Sequence, residues 1–335
     1  MKNDYRVAPS VQPLDESPAD AEAEAADAVG ADEPERRVAT VLAAFHGERL
    51  DKAVVSIAPE FSRNHLQGLI EAGHVSVDGT AQRSASRKVL AGQRIELDLV
   101  PTAESRAFRP ETLPIAVVFE DAYVIVIDKA AGMVVHPAAG NWSGTLLNAL
   151  LAHHRGAAVL PRAGIVHRLD KDTSGLMVVG KTLVAVTALV RAIAAREVHR
   201  EYRAIAQGAV EPAKFSIDAP IGRDPQARIR MAVVGSGKPA RTDVERLATA
   251  PGFSALRCTL HSGRTHQIRV HLAHRGQPLV ADSLYGGKPA LGLARQALHA
   301  TRLAFAHPVT GQALAFESAF PADFVAAWRA VTGKP

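Results

Sequence analysis

Apolar residues along this chain recur with two spacings, which together predict a mixture of helices and strands. Spacings of three and four residues predict helices at 49–58, 62–73, 145–150 and 182–197. Short alternating or continuous apolar runs predict strands at 115–119, 124–128, 199–207, 253–261, 298–306 and 313–316. Residues 264–275 fit a helix, although their alternation would also suit a strand. Because the elements follow no regular βαβ repeat, the pattern predicts an α+β fold.

The same pattern divides the chain into four segments. Residues 1–36 contain almost no aliphatic periodicity and are rich in Ala, Glu, Asp and Pro, so we expect a disordered acidic tail. Residues 37–100 have the spacing of a small folded unit. Residues 101–113 form a linker rich in Pro, Glu, Ser and Arg, and a larger domain is expected at 114–330.

The small unit carries clear signals for the ends of its elements. Ser62 is a good N-cap for the second helix, and Gly73 is placed to end it. Residues 74–77 alternate like a strand that leads into the tight turn at Asp78-Gly79. Basic side chains, among them Arg49, Lys52 and Arg63, are distributed over this unit and suggest a surface that docks RNA.

Composition and charge narrow the class of protein. The chain of 335 residues is 47% hydrophobic and 22% charged, has one cysteine, and contains no apolar run long enough for a membrane span. These values favour a cytoplasmic, soluble protein without a disulfide framework. Residues 1–36 hold ten acidic and three basic side chains, so the remainder carries +12 within a total of +5. A basic body suggests a polyanionic partner such as nucleic acid, although a basic surface can also serve solubility alone.

A charged loop between two apolar runs is the main candidate for chemistry. Residues 167–175 read His-Arg-Leu-Asp-Lys-Asp-Thr-Ser-Gly, and Ile165-Val166 before them has the composition of a strand. The residues alone leave Asp170 open as a turn residue or as a reagent, since Asp, Ser, Thr and Gly also cluster in turns. The loop imitates a calcium-binding loop, but Lys181 stands where such loops need a glutamate. No pattern of metal ligands accompanies the histidines at 261, 266, 271 and 274, so no metal site is predicted.

Segments of the small unit resemble the S4-type RNA-binding module. They occur in the expected order and are Arg49–Lys52, Pro59–Arg63, Leu66–Ile70, Gly73–Val75 and Val77–Gly79. The resemblance implies two helices that lead into a small sheet, with Arg49, Lys52 and Arg63 facing RNA.

Segments of the larger domain resemble the RluA-type pseudouridine synthases, again in order. They are His167–Leu176, His199–Tyr202, Gly237–Thr242 and Gly263–Leu272. His136–Asn141 and Arg295–Thr301 are further similar to members of this family that act on large-subunit ribosomal RNA. The resemblance extends from about residue 47 to 320 and implies a mixed, largely antiparallel sheet.

The resemblance also implies a role for each candidate residue. Asp170 would be the nucleophile, Tyr202 would stack on the uracil and relay a proton, and Arg269 would be the ion-pair partner of Asp170. Such a partner is needed because a carboxylate in a cleft that excludes water is otherwise costly to keep ionised. We expect Arg168 to fill the space left by a flipped uridine and His167 to help shape the loop, with Arg264 and His266 as further RNA contacts.

The implied activity is the isomerisation of specific uridines in 23S ribosomal RNA to pseudouridine. This reaction balances without a redox cofactor, metal ion or ATP, so no cofactor is expected. The expected partner is ribosomal RNA or an assembling large subunit, and the protein is expected to be a monomer with no membrane and no obligate protein partner. Two other interpretations remain, a non-catalytic RNA-binding protein and an RNA glycosidase that uses the same carboxylate.

Overall fold

The computed structural model describes residues 35–100, 107–138, 140–227 and 229–334. The chain divides into two compact units near residue 102. The predicted acidic tail lies outside the described residues up to position 34, whereas Glu35 and Arg36 begin a strand. Within the described ranges, no helix is long and apolar enough to cross a membrane.

The first unit combines two helices with a small antiparallel sheet. Its elements are β1 (Glu35–Thr40), α1 (Leu50–Ile57), α2 (Arg63–Ala72), β2 (Val75–Val77), β3 (Thr80–Gln82) and β4 (Arg94–Leu99), with a 3-10 turn at Ala43–Phe45. The strand order in the described part is β1-β4-β2-β3. Leu50, Leu66, Val75 and Ile95 belong to one buried core, so both helices pack on the sheet.

The helix boundaries in this unit confirm the signals in the sequence. The Ser62 side chain accepts a hydrogen bond from the His65 N–H at 3.3 Å, as an N-cap does. Gly73 ends α2 with a left-handed backbone, at a φ of 90°. Strand β1 was not predicted, because it begins with charged residues that look like a continuation of the tail.

The second unit is built on one large sheet. Its elements are β5 (Ala116–Glu120), β6 (Val124–Lys129), α3 (Leu146–His153), β7 (Ser174–Gly180), α4 (Leu183–Ala194), β8 (His199–Gln207), β9 (Lys214–Asp218), β10 (Ile221–Arg223), β11 (Met231–Val233), β12 (Arg241–Ala250), β13 (Phe253–Leu260), α5 (Gln267–His274), β14 (Leu298–Ala306), β15 (Ala313–Glu317) and α6 (Ala322–Thr332), with 3-10 turns at Arg155–Val159, Pro161–Gly164 and Ser283–Tyr285. In the described residues, the strand order is β5-β6-β7-β14-β8-β13-β12-β9, and β15 pairs with β14. Within this sheet only the β7–β14 pairing is parallel. The α+β fold with a largely antiparallel sheet is confirmed.

Both faces of the sheet are covered, and β7 is buried throughout. Met177 and Val179 face a core that includes Leu146 of α3 and Ile268 of α5. Leu176 and Val178 face the opposite core, which includes Leu189 of α4. A strand buried on both faces has a continuous apolar sequence, and this explains the run 176–179.

Several local predictions differ from the structure. Ile165 forms only an isolated bridge with Val179, so the run Ile165-Val166 is not a regular strand. The stretch 264–275 does contain a helix, which begins only at Gln267, after an N-cap at His266 in a left-handed conformation. The C-terminal helix α6 was not predicted.

The end of the expected linker contacts the second unit. Residues 101–106 lie outside the described residues. Ala107 is buried, and the Asn148 side-chain amide donates to the carbonyls of Ala107 and Arg109 at 3.3 and 2.8 Å. Residues 107–111 are therefore fastened to α3.

Candidate active site

Asp170 lies in the loop that enters β7, and one arginine fixes its carboxylate. Arg269, on α5, donates from Nη1 to Oδ2 of Asp170 at 3.0 Å. The same guanidinium donates from Nε and Nη2 to the two carboxylate oxygens of Asp282 at 2.7 and 2.9 Å. Arg269 is thus shared between an outer and an inner carboxylate, and the two-pronged contact with Asp282 sets the direction in which it meets Asp170.

Burial and the neighbouring carboxylates have opposite effects on the pKa of Arg269. Burial works against its charge, but the hydrogen bonds from Arg269 to Asp282 and the negative charge of Asp170 outweigh it and raise its pKa. Asp282 is almost fully buried, so its charge needs this partner. The ring of Tyr285 covers the guanidinium, with its centroid 5.0 Å from the central carbon.

Tyr285 also fixes His266 next to Asp170. The Tyr285 hydroxyl accepts a hydrogen bond from the Met231 N–H at 3.0 Å, so it donates its own proton to Nδ1 of His266, 2.7 Å away. Burial, more than the nearby charges, lowers the pKa of His266. In the neutral ring the remaining proton is then on Nε2, which lies 3.8 Å from Oδ1 of Asp170. His266, predicted as an RNA contact, is therefore a direct neighbour of the carboxylate.

A buried lysine supports the loop around Asp170 through hydrogen bonds to backbone carbonyls. Lys129, at the end of β6, is 2% exposed and donates from Nζ to the carbonyls of Ala130, Met133 and Lys171 at 2.8 to 3.0 Å. Burial lowers the pKa of Lys129 to about 8, although the charges of Asp170 and Asp172 oppose the shift. Its position at the end of an apolar strand gave no sign of this role in the sequence.

A second support comes from residues near the C-terminus. Arg295 donates from Nη1 to the Asp172 carbonyl at 3.0 Å, and its other nitrogens form a two-pronged ion pair with Asp323 of α6. Gln296 donates to the Thr173 hydroxyl at 3.2 Å. The conformation of the loop therefore depends on contacts made more than a hundred positions later in the sequence.

Ser174 and Gly175 anchor the loop to the sheet. The Ser174 hydroxyl and Nδ1 of His299 are hydrogen-bonded at 2.9 Å, and both are buried. Gly175 has a φ of 114°, and a Cβ at this position would lie 2.2 Å from the Ala300 carbonyl oxygen. Only glycine allows β7 and β14 to approach this closely.

Tyr202 lies on β8 and lines the same cleft as Asp170 and Arg269, which encloses about 580 Å³. Its side chain is mostly buried. Burial raises the pKa of Tyr202 to about 12, and the charge of Asp170 acts in the same direction. The hydroxyl is therefore protonated at neutral pH.

His167 and Arg168 have different surroundings. His167 accepts a hydrogen bond at Nε2 from the Val178 N–H at 3.0 Å, and burial lowers its pKa to about 3. This contact ties the His167 ring to β7, and its role in shaping the loop stays a prediction. Arg168 is exposed at the cleft and forms no hydrogen bond or ion pair with another described residue. Arg264 is also exposed at the cleft, and its Nε donates to the Pro239 carbonyl at 3.1 Å.

The first unit arranges its predicted RNA-binding residues around a buried acid. Asp51 is fully buried and accepts hydrogen bonds from Arg49, Arg63 and the Gln67 amide at 2.6 to 3.2 Å. Burial alone would raise the pKa of Asp51, but these hydrogen bonds outweigh it and lower the pKa. Both guanidinium groups remain nearly half exposed, so the acid orients them toward solvent. Lys52 pairs with Glu48 at 2.8 Å.

Comparisons with known proteins agree with this geometry. Residues 123–274 match the model of the RNA pseudouridylate synthase family, and residues 48–95 match the S4 domain. The ribosomal large subunit pseudouridine synthase D of Neisseria meningitidis serogroup B is 47% identical over 311 residues, which cover 89% of this chain and 82% of the relative. The protein of the same name from Nitrosomonas europaea is 45% identical over 317 residues, which cover 92% of each chain.

A solved structure has the same fold. The human RNA pseudouridylate synthase domain containing 1 is 25% identical, with a TM-score of 0.51, over 63% of this chain and 85% of its own. The described cleft lies within the second unit, where the family match falls. The chain belongs to the RNA pseudouridylate synthase family and carries an S4 domain before its catalytic domain.

Proposed function

We propose that this enzyme isomerises specific uridines of large-subunit ribosomal RNA to pseudouridine, with Asp170 as the catalytic carboxylate. The observation that carries the proposal is the Asp170 carboxylate held at 3.0 Å by Arg269 in a cleft whose other charged lining residues are arginines. The names of the two bacterial relatives support the choice of RNA.

The reaction breaks the C1′–N1 bond of uridine, turns the uracil and joins C1′ to C5. The proton on C5 is released, and N1 gains a proton, so the product is an isomer of the substrate. Asp170 either attacks C1′ or assists the cleavage without a lasting bond to it. In both routes Arg269 holds the carboxylate in place through its contact at 3.0 Å.

Tyr202 would serve the uracil after the glycosidic bond breaks. Its ring is a flat, mostly buried surface in the cleft on which a pyrimidine can stack. With a pKa of about 12, the Tyr202 hydroxyl gives up its proton readily only if it receives another proton from a neighbouring group. This behaviour suits a relay that carries a proton from C5 to N1 or to solvent.

RNA enters this cleft through its basic rim. A uridine in a structured RNA must leave its stack before Asp170 can reach C1′. Arg168 is exposed and lies two residues before Asp170, so it can occupy the position that the uridine vacates. Arg49, Lys52 and Arg63 of the first unit would contact the RNA backbone and thereby position the target.

The test is the release of tritium from C5-labelled uridine in a ribosomal RNA transcript. The wild-type protein should release tritium without loss of base from the RNA. Asp170→Asn should reduce release by at least about 10⁴-fold, because it removes the nucleophile, and should leave RNA affinity within a few-fold of wild type. Asp172→Asn, the same change two residues away, is the matched control and should retain most of the activity.

Two results would contradict the proposal. Equal release by Asp170→Asn and wild type would mean that another group performs the chemistry. Release accompanied by free uracil would indicate a glycosidase. Mapping pseudouridine in ribosomal RNA from cells that lack the protein would identify the target uridines.

We infer further that the enzyme acts as a monomer in the cytoplasm, without an obligate protein partner. Light scattering of the purified protein should give a mass near 35.5 kDa. A stable dimer whose dissociation abolishes tritium release would contradict this inference.

A further inference from the structure

Arg200, on β8, is a buried cation without an anionic partner among the described residues. Its side chain is 5% exposed, its Nε is buried without a hydrogen bond, and its guanidinium forms no hydrogen bond or ion pair with another described residue. Arg203, three positions later, instead pairs with Glu201. A buried charge without a partner destabilises a folded protein, so its presence calls for a ligand that supplies the opposite charge.

The guanidinium of Arg200 faces the catalytic cleft. Arg200 lies two residues before Tyr202, so both side chains leave β8 on the same face, and both line the cleft. Gly263 lies over the guanidinium, because a Cβ at this position would come within 2.9 Å of Nη1. The positive charge of Arg200 also opposes the effect of burial on the pKa of Tyr202.

The cleft offers Arg200 no anion of its own. Six arginines line it, namely Arg162, Arg168, Arg196, Arg200, Arg264 and Arg269. Asp170 is the one carboxylate among the lining residues of the described chain, and Arg269 already occupies one of its oxygens at 3.0 Å. The balancing charge for Arg200 must therefore come from the substrate.

We propose that Arg200 binds a phosphodiester of the RNA strand beside the target uridine, in a subsite between Tyr202 and Gly263. This assignment rests on the proposed function. A phosphate matches the fork of N–H donors on a guanidinium and neutralises its charge. The uracil carbonyls are neutral and would leave the charge of Arg200 uncompensated, so they fit this position less well.

The experiment uses the full chain with Arg200→Met, Arg200→Lys and the control Arg203→Gln, which removes a paired arginine from the other face of the same strand. We measure Kd for a large-subunit ribosomal RNA transcript as a function of NaCl, and Tm without RNA. Arg200→Met should weaken binding roughly tenfold and make the salt slope shallower by roughly 0.7–0.9, the loss of one phosphate contact. Its Tm should equal or exceed that of wild type, because an unpaired buried charge has been removed.

The other variants separate charge from geometry. Arg200→Lys should recover the salt slope but only part of the affinity, because an ammonium lacks the fork. Arg203→Gln should keep the wild-type slope. If Arg200→Met binds RNA with the affinity and salt slope of the wild type, the assignment is overturned. A lower Tm together with weaker binding would also overturn it, because this result would show that Arg200 has a structural role. Failure of the proposed function is seen separately, as absence of tritium release by the wild-type protein.

Discussion

At the scale of single residues, Lys129 shows how a side chain that is not itself catalytic can hold the loop that carries Asp170. Its ammonium donates three hydrogen bonds to carbonyls, one of which belongs to Lys171, the neighbour of Asp170. Its pKa of about 8 means that a modest rise in pH removes one of the three donors. The position of Asp170 should therefore depend on pH even though Lys129 is not proposed to touch the substrate.

We expect Lys129→Met to lower the rate of tritium release at neutral pH by about 10- to 100-fold, since small displacements of a catalytic group have effects of this size. The wild-type rate should decline as the pH rises through about 8, and the variant should lack this step. An identical alkaline decline in both proteins would assign it to another group.

A rise in pH should stabilise the fold, although it lowers the rate of tritium release. The folded pKa of Lys129 is about 8 and the ordinary value is 10.5, so between these values the unfolded chain binds more protons. The free energy of unfolding of the wild type should then rise relative to Lys129→Met across this window. Chemical denaturation of both proteins at pH 7 and pH 10 measures the difference.

At the scale of elements, the sheet brings together residues that are distant in the sequence. Asp170 and Arg269 are 99 positions apart, and they meet because β7 and α5 share one core. Strand β7 is fixed between an antiparallel and a parallel partner, and the parallel pairing depends on Gly175.

We expect Gly175→Ala to lower the free energy of unfolding by about 3 kcal/mol or more, because its Cβ would overlap the Ala300 carbonyl in addition to the cost of a positive φ. Gly132→Ala is the matched control, since Gly132 has a φ of 89° but nothing within 4 Å of the added carbon. It should cost about 1–2 kcal/mol. Equal losses in urea denaturation would show that the close approach is unimportant.

The sequence allowed much of the fold and part of the site to be predicted. Hairpins and helices with strong periodicity, such as β14–β15 and α2, were recognised because local signals determine them. Asp170, Tyr202 and Arg269 were predicted from specific motifs, and the structure brings them to one cleft, while their catalytic roles stay predictions. Asp282 and Lys129 were missed, because each acts through contacts that form only when separate segments pack together. Arg200 was visible in a motif, but the absence of a partner can be seen only in the folded chain.

At the scale of the whole molecule, we expect the two units to have different roles, one in binding and the other in chemistry. The described cleft is lined by residues of the second unit alone, whereas the oriented pair Arg49 and Arg63 lies in the first. The net charge of +12 outside the first 36 residues gives the body a general attraction for RNA. The first unit should thus contribute affinity and positioning, and the second unit the reaction.

We expect deletion of residues 37–100 to weaken binding of ribosomal RNA and to reduce its salt dependence, because several phosphate contacts are lost. Release of tritium at saturating RNA should fall much less than affinity. Affinity and salt slope measured by filter binding give the comparison with the intact chain. Unchanged affinity would place the RNA-binding surface elsewhere.

The contacts of Arg295 have a consequence for the order in which the protein becomes active during synthesis. A chain leaves the ribosome from its N-terminus, so the Asp170 loop emerges long before the residues that secure it. Arg295 follows Asp172 by 123 positions, and Asp323 follows Arg295 by 28 more. Strand β14, the parallel partner of β7, also emerges after position 297. The loop cannot acquire its hydrogen bonds from Arg295 and Gln296 until those residues have been made, and the ion pair that orients Arg295 also requires α6. A nascent chain can therefore expose a folded RNA-binding unit while its catalytic site is still incomplete.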